Sequence, residues 1–300
     1  MSFQDDISIP YKYPLQMTAH QMLAKARSLP PISRAALELG NMLGSPDISN
    51  EEVVRVLKQD CVLTAKLLRA CNSSALGLKE SVASVDQAVL MLGYNQVSQM
   101  VTALAFRGTL AMPLQAYALA ADDLWRHSLL AATAAQIIVT EGLDMEVDSS
   151  VAFTVGLLHD IGKLVTNEFM TRQSSLAMRQ KIAEGRSIVE AERDVLGTDH
   201  SEVGAALVYL WRLPDAIVEA VGLHHHQVLQ PGPSFSALAG FADTLAHLAA
   251  SAHGSRKADS PDAGAQLLSA WGLSPEKLES LLARVCEVPA VADELIAISA

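Results

Sequence analysis

Gly156-Leu-Leu-His159-Asp160-Ile-Gly-Lys163 lies in an apolar run that opens at Val151. A histidine and an aspartate set side by side in such surroundings need partners, because burying a polar group without one carries a desolvation cost. Neutral imidazole and carboxylate are good ligands for Fe, Mn, Zn or Ni. Adjacent helical residues point about 100° apart, so His159 and Asp160 can reach a metal beside their helix from two sides. Lys163 falls one turn after His159 on the same face, where it meets either an anionic ligand or solvent.

Outward from this stretch the same theme repeats. Eight of the nine histidines lie from His127 onward. They stand in Trp125-Arg-His127-Ser-Leu-Leu, Asp199-His200-Ser-Glu-Val-Gly204, Gly222-Leu-His224-His225-His226 and Phe241-Ala-Asp243-Thr-Leu-Ala-His247. Several helices could each bring one or two ligands inward, as helix bundles with metal sites do. Each residue also has a plainer reading. His127 alone suits a hydrogen-bonded core histidine, and His224 to His226 suit a polar helix end near the C-terminal dipole. His247 reads as the helix-surface neighbour of Asp243, four residues earlier. His20, His226, His247 and His253 are given no functional place.

The rest of the chain reads as helix. Half of its 300 residues are hydrophobic, 18% are charged and 5% are aromatic, which excludes disorder for the bulk and favours helices rich in Ala and Leu. Ser49-x-x-Glu52 and Ser84-x-x-Gln87 read as capping boxes, Asp60 and Ser187 as caps, and Gly93 and Gly197 as stops. Helices are expected over 32–43, from the Ser49 cap to 58, 61–73, 95–109, 122–141, from near 149 or 150 through 151–169, 188–196, 200–211, 214–225, 235–252 and from Ser274-Pro275 onward. No alternating strand pattern or fixed-period repeat occurs. The fold class is all-α, with a boundary near 110–121.

With 22 basic against 33 acidic residues, the net charge is −11. That argues against DNA, whose phosphates need basic patches, and against acidic membrane surfaces. The three cysteines form no C-x-x-C pair and read as reduced core thiols of a cytoplasmic protein. The acidic start shows no signal peptide, and no 18-residue apolar stretch suggests a membrane span.

In order, His127, His159-Asp160, His200, His224-His225 and Asp243 resemble the HD superfamily of metal-dependent phosphohydrolases. The basic pattern maps onto His127, His159, Asp160 and Asp243, while His200, His224 and His225 resemble the extra ligands of HD-GYP-type enzymes, which hold more than one metal. Asp123, one turn before His127, falls where some of those enzymes carry a glutamate ligand. Other segments narrow the resemblance to HDOD domains. These are Leu29-Pro30-Pro31, Asp60-Cys-Val-Leu-Thr64-Ala-Lys-Leu-Leu68-Arg-Ala-Cys-Asn72-Ser73, Ser84-Val-Asp-Gln-Ala88-Val-Leu-Met-Leu-Gly93 and Trp211-Arg-Leu-Pro214. The resemblance covers roughly residues 20–250. It implies a two-lobed helical bundle: a leader (1–19), an N-terminal helical lobe (20–116), an HD-like metal-site lobe (117–253), and a linker with a helical appendage (254–300).

It also implies a bacterial signal-transduction module that binds a signalling protein, a nucleotide or another phosphate ligand. One or two divalent ions (Fe, Mn, Ni or Zn) would sit on His127, His159, Asp160, His200, His224, His225 and Asp243. The alternative is an active phosphohydrolase, with Asp160 and Lys163 in catalytic roles. After His224-His225 the chain reads His226-Gln-Val-Leu-Gln-Pro231-Gly232-Pro233 with no Gly-Tyr-Pro, so cyclic-di-GMP hydrolysis is not implied. A structural metal and a metal-free hydrogen-bonded network stay open beside these readings. Asn72-Ser73 reads as a helix C-terminal cap and turn.

Overall fold

The computed structural model of the chain describes residues 17–26, 34–42, 50–74, 76–141, 147–226, 234–252, 271–288 and 293. Pro30-Pro31, Ser49, Pro231-Gly232-Pro233, His253 and the linker that opens at 254 lie outside these residues. Among the described residues the regular structure is helical, apart from one isolated bridge between Leu114 and Leu119.

The first lobe is built from α2 (Arg34–Met42), α3 (Asn50–Gln59), α4 (Cys61–Cys71), α5 (Val85–Leu92) and α6 (Tyr94–Leu110). Asp60 caps α4 by accepting from Leu63 N–H, and Ser84 caps α5 by accepting from Gln87 N–H. The Gln87 side chain accepts instead from Ala83 N–H (2.8 Å), one residue before the cap, so the expected box closes only in part. Asn72 is the C-cap of α4. Its amide also pairs with Val82 in both directions (2.7 and 2.8 Å), as a strand partner would, pinning the loop between α4 and α5. Cys71 is buried but Cys61 is exposed, because it opens α4 on the solvent side; the expectation of core thiols fails there.

The second lobe is built from α7 (Asp123–Thr140), α8 (Ser149–Leu158), α9 (Gly162–Phe169), α10 (Arg172–Ala183), α11 (Ile188–Leu196), α12 (His200–Leu210), α13 (Asp215–Leu223) and α14 (Phe235–Ala252). Sequence reading had not singled out α10. From Ser150 to Leu158 every residue of α8 is buried, as befits a helix apolar all round. It lies against α7, α13 and α14. Gly156 permits the contact with α7: a Cβ there would stand 2.5 Å from Ala131 O and 2.6 Å from Ala132 Cα.

The lobes meet where α6 packs on α7 and α8. They are joined through a 3₁₀ turn, Gln115–Tyr117. Two further helices dress the second lobe. α15 (Pro275–Val285), capped by Ser274, packs on α7 and α14. α1 (Ala19–Lys25), closed by a Thr18–Gln21 capping box, packs on α9 and α12. Met17 N–H donates to Leu196 O (3.1 Å) at the same seam.

One expected helix is broken. Residues 151–169 form not one helix but two, α8 and α9, with His159-Asp160-Ile161 between them. The His159 Nδ1 lies 2.7 Å from Gly156 O, the acceptor that a continuing helix would give to Asp160 N–H. The ladder then tightens to i→i−3 at Ile161, Lys163 and Leu164, the 3₁₀ spacing.

Candidate metal centre

The break at 159–161 aims two side chains into the middle of the second lobe. His159 is the C-cap of α8 and His224 the C-cap of α13. Both use Nδ1 in the same way, on the carbonyl three residues back: Gly156 O at 2.7 Å and Val221 O at 2.8 Å. A carbonyl only accepts, so Nδ1 carries the proton in each and Nε2 faces inward. His200, in the first turn of α12 behind the Asp199 cap, places Nδ1 2.7 Å from the Glu192 carboxylate. Its Nε2 also faces inward. Orienting partners of this kind are what metal-ligating histidines have.

The inward atoms form two adjoining groups. In one, His127 Nε2 lies 3.2 Å from His159 Nε2 and 3.0 Å from Asp243 Oδ1, and His159 Nε2 lies 3.4 Å from that same oxygen. In the other, Asp160 Oδ1 lies 3.2 Å from His200 Nε2 and 3.9 Å from His224 Nε2, while His225 Nε2 lies 3.0 Å from His200 Nε2. Asp160 spans both, since its Oδ2 is 3.6 Å from His127 Nε2 and 3.5 Å from His159 Nε2. The structure thus brings together His127, His159, Asp160, His200, His224, His225 and Asp243. Lys163 is there too, buried, with Nζ 2.5 Å from Asp160 Oδ2.

Two residues were misplaced by sequence reading. His247, set aside as a surface neighbour, does pair with Asp243 across one helical turn (3.3 Å). Its ring also stands 4.6 Å from that of His127, centroid to centroid, so it belongs to the first group. Asp123 stays at the start of α7, where its carboxylate accepts from Ala120 N–H at 2.7 Å.

Others were missed. Glu192 is fully buried in α11. It accepts from His200 N–H (2.8 Å) and from the Tyr117 hydroxyl (2.6 Å), and that hydroxyl also lies 2.6 Å from Thr166 Oγ1. The signal for Glu192 was its place on the apolar face of α11, three residues after Val189 and three before Val195.

The electrostatics follow from burial and crowding. Burial opposes a charged ring at His159, but Asp160 and Asp243 outweigh it and raise the pKa to about 10. At His200, burial is outweighed mainly by Glu192, giving about 9. Burial with neighbouring His247 lowers His127 to about 4, and burial with His159 and His200 lowers His224 to about 3. Burial would raise Asp160 and Asp243, but Lys163 with His159 and His200 holds Asp160, and His247 with His127 and His159 holds Asp243, well below the usual carboxylate range.

The residues fit a divalent cation. Asp160 Oδ1, Asp243 Oδ1 and His224 Nε2 are buried without a hydrogen bond of good geometry among the described residues, although imidazole nitrogens lie within 4 Å of both oxygens. Buried polar atoms are rarely left so. Lone pairs of three oriented histidines and two carboxylates converge on adjoining spaces bridged by Asp160, and cations there would satisfy them. Three overlapping sets, Asp160–His200–His224–His225, His127–His159–Asp160 and His127–Asp243–His247, each have ligand atoms within 4.8 Å of one another, which suits one ion or two sharing Asp160.

A two-lobed helical body around a buried His/Asp centre defines a protein of the HD type. Within that type the chain belongs to the HDOD family, whose domain profile matches residues 29–227. It is similar to a crystal structure from Shewanella amazonensis SB2B named as a candidate phosphohydrolase, at 23% identity and a TM-score of 0.67, covering 93% of this chain and 98% of that one. A candidate signal transduction protein from Marinobacter aquaeolei VT8 is 20% identical, with a TM-score of 0.70, covering 94% and 62% of the two chains. An uncharacterized protein of Treponema pallidum is 23% identical over 210 residues, which make up 66% of this chain. The chain spans 38% of that relative's length. No helix among the described residues is long and apolar enough to cross a membrane.

Proposed function

We propose that this chain is a cytoplasmic HDOD module of bacterial signal transduction whose second lobe holds one or two divalent ions. In this reading the module passes a state to a signalling partner and answers to a nucleotide or phosphate ligand. The observation that carries it is the set of Nδ1-tied histidines, His159, His200 and His224, presenting Nε2 to Asp160. The name of the Marinobacter relative supports the signalling part.

The inner part of the centre is closed. His159, His200 and His224 have no exposed surface, and Lys163 is spent on Asp160. That favours an ion with a structural or regulatory role, whose binding free energy is folding free energy. Elemental mass spectrometry on untagged protein purified without chelator tests it. One or two equivalents of Fe, Mn, Ni or Zn are expected, with metal and melting temperature lost together in His159→Ala. Below about a tenth of an equivalent in folded protein, or unchanged metal and stability in His159→Ala, the reading fails.

Catalysis is the second reading. The His127–Asp243–His247 side keeps 12–20% of its side-chain surface exposed, and His225 is also only partly buried. A divalent ion would supply Lewis-acid charge against a phosphate. Lys163 would then have to leave Asp160 to face the substrate, and Asp160 would hold the ion. Hydrolysis of bis(p-nitrophenyl) phosphate that vanishes in His159→Ala and Asp160→Ala supports this reading; metal-loaded but inert protein supports the adaptor.

A further inference from the structure

A second cavity, of about 450 Å³, lies between the 3₁₀ turn at 115–117, the end of α9 and the start of α10. No side chain of the metal centre lines it. Pro113 and Met170 give it apolar wall; Asn167, Ser175, Arg172 and Arg179 give it polar groups. Arg172, Ser175 and Arg179 follow at i, i+3 and i+7, which places them on one face of α10.

The polar groups are mostly donors. Asn167 spends its carbonyl oxygen on Ala116 N–H (2.9 Å), leaving its amide nitrogen to donate. Arg179 places one nitrogen 3.3 Å from Gln115 O, and the remaining guanidinium N–H groups are left for a ligand. Among the described residues neither Arg172 nor Arg179 forms an ion pair, although Lys181, Arg186 and Arg193 just downstream all do. Two guanidiniums without a carboxylate, one exposed and one half-buried, share one concavity of a chain with net charge −11 and are available to an anion supplied from outside. Guanidinium forks match phosphate oxygens in pairs, and the volume lies within the roughly 300–1,000 Å³ of small-molecule sites.

We propose that this cavity binds a small phosphorylated molecule, with Arg172 and Arg179 on its phosphate. The proposal rests on the reading of the chain as a module that answers to a phosphate ligand, and it gives that ligand a place apart from the metal centre. The turn that floors the cavity carries Tyr117, whose hydroxyl meets the carboxylate that holds His200. Whatever fills the cavity therefore bears on a residue two contacts from the centre.

The test is isothermal titration of the full chain with AMP, adenosine and inorganic phosphate. AMP binds, inorganic phosphate competes with it, and adenosine gives no heat. Arg172→Gln and Arg179→Gln each weaken AMP about tenfold or more, as loss of a charged hydrogen bond does. Wild-type chain with EDTA still binds AMP, its affinity shifted at most a few-fold through the Tyr117–Glu192–His200 contacts. Absence of phosphate-dependent binding overturns the proposal, as do unweakened arginine variants. So does binding that the arginine variants keep and EDTA removes, which would put the phosphate at the metal centre. Metal content, measured separately, decides the reading of the centre whichever way the titration falls.

Discussion

Without a cation, the buried imidazoles divide into two that hold a proton and others that refuse it, and this sets a pH dependence. His159 and His200 have pKa values raised to about 10 and about 9. Their contribution is complete below the unfolded value of about 6.5 and is lost as pH rises through 9–10. His127 and His224, lowered to about 4 and about 3, act in the opposite sense. The unfolded chain gains protons there that the folded one refuses, so stability falls as pH drops below about 6.5. The metal-stripped protein should therefore melt highest near pH 6.5 and lose about 5–10 °C by pH 9.5, taking 2–4 °C per kcal/mol for a chain of this size. With Mn²⁺ or Zn²⁺ bound, the ligand rings are already neutral and the alkaline loss should disappear. Calorimetric scans with and without metal check this; identical alkaline profiles would count against the histidine assignment. At this scale the sequence was informative about identity and poor about partners. The seven ligand-type residues could be picked out by kind and order. Glu192 could not be assigned to His200, because the two meet only when α11 folds back onto α12.

At the scale of elements, the junctions matter more than the helices. Capped boundaries were readable: Ser187 opens α11 and Gly197 closes it as expected. The break after Leu158 was not, since Asp160 and Gly162 are its only local marks and the break comes from a side chain taking a backbone acceptor. Its neighbour Gly162 shows what holds it in place. A Cβ there would stand 1.9 Å from His200 O and 2.6 Å from Gly204 N, so α9 and α12 touch through backbone. Gly162→Ala forces them apart. Overpacking of this sort costs about 1–3 kcal/mol or more, which predicts a melting temperature lower by roughly 5–10 °C. Moving α12 also displaces His200, so metal affinity should fall with stability. Wild-type metal affinity in a destabilised Gly162→Ala protein would show that the two helices need not meet so closely for the centre to form.

Across the whole molecule, the apolar core runs from Met22 through both lobes to Val288 without a break. Met22 is the one buried residue of α1 and is 1% exposed. Met22→Ala should cost about 2–5 kcal/mol, the range for emptying such a core position. Chemical denaturation measures it, and an effect below about 0.5 kcal/mol would mean that α1 lies loosely on its seam. The placement of α1 was beyond sequence reading, because nothing in Thr18 to Lys25 specifies a partner so far along the chain. That placement has a consequence for biosynthesis. As the polypeptide is made, α1 emerges early and has no surface to settle on until α9 and α12 have followed it out of the ribosome. The first lobe can condense from its own neighbouring helices in the meantime. Of the described helices α1 is thus made first, yet it docks only once α12 is out, and its docking ties the first lobe's leading edge to the second lobe.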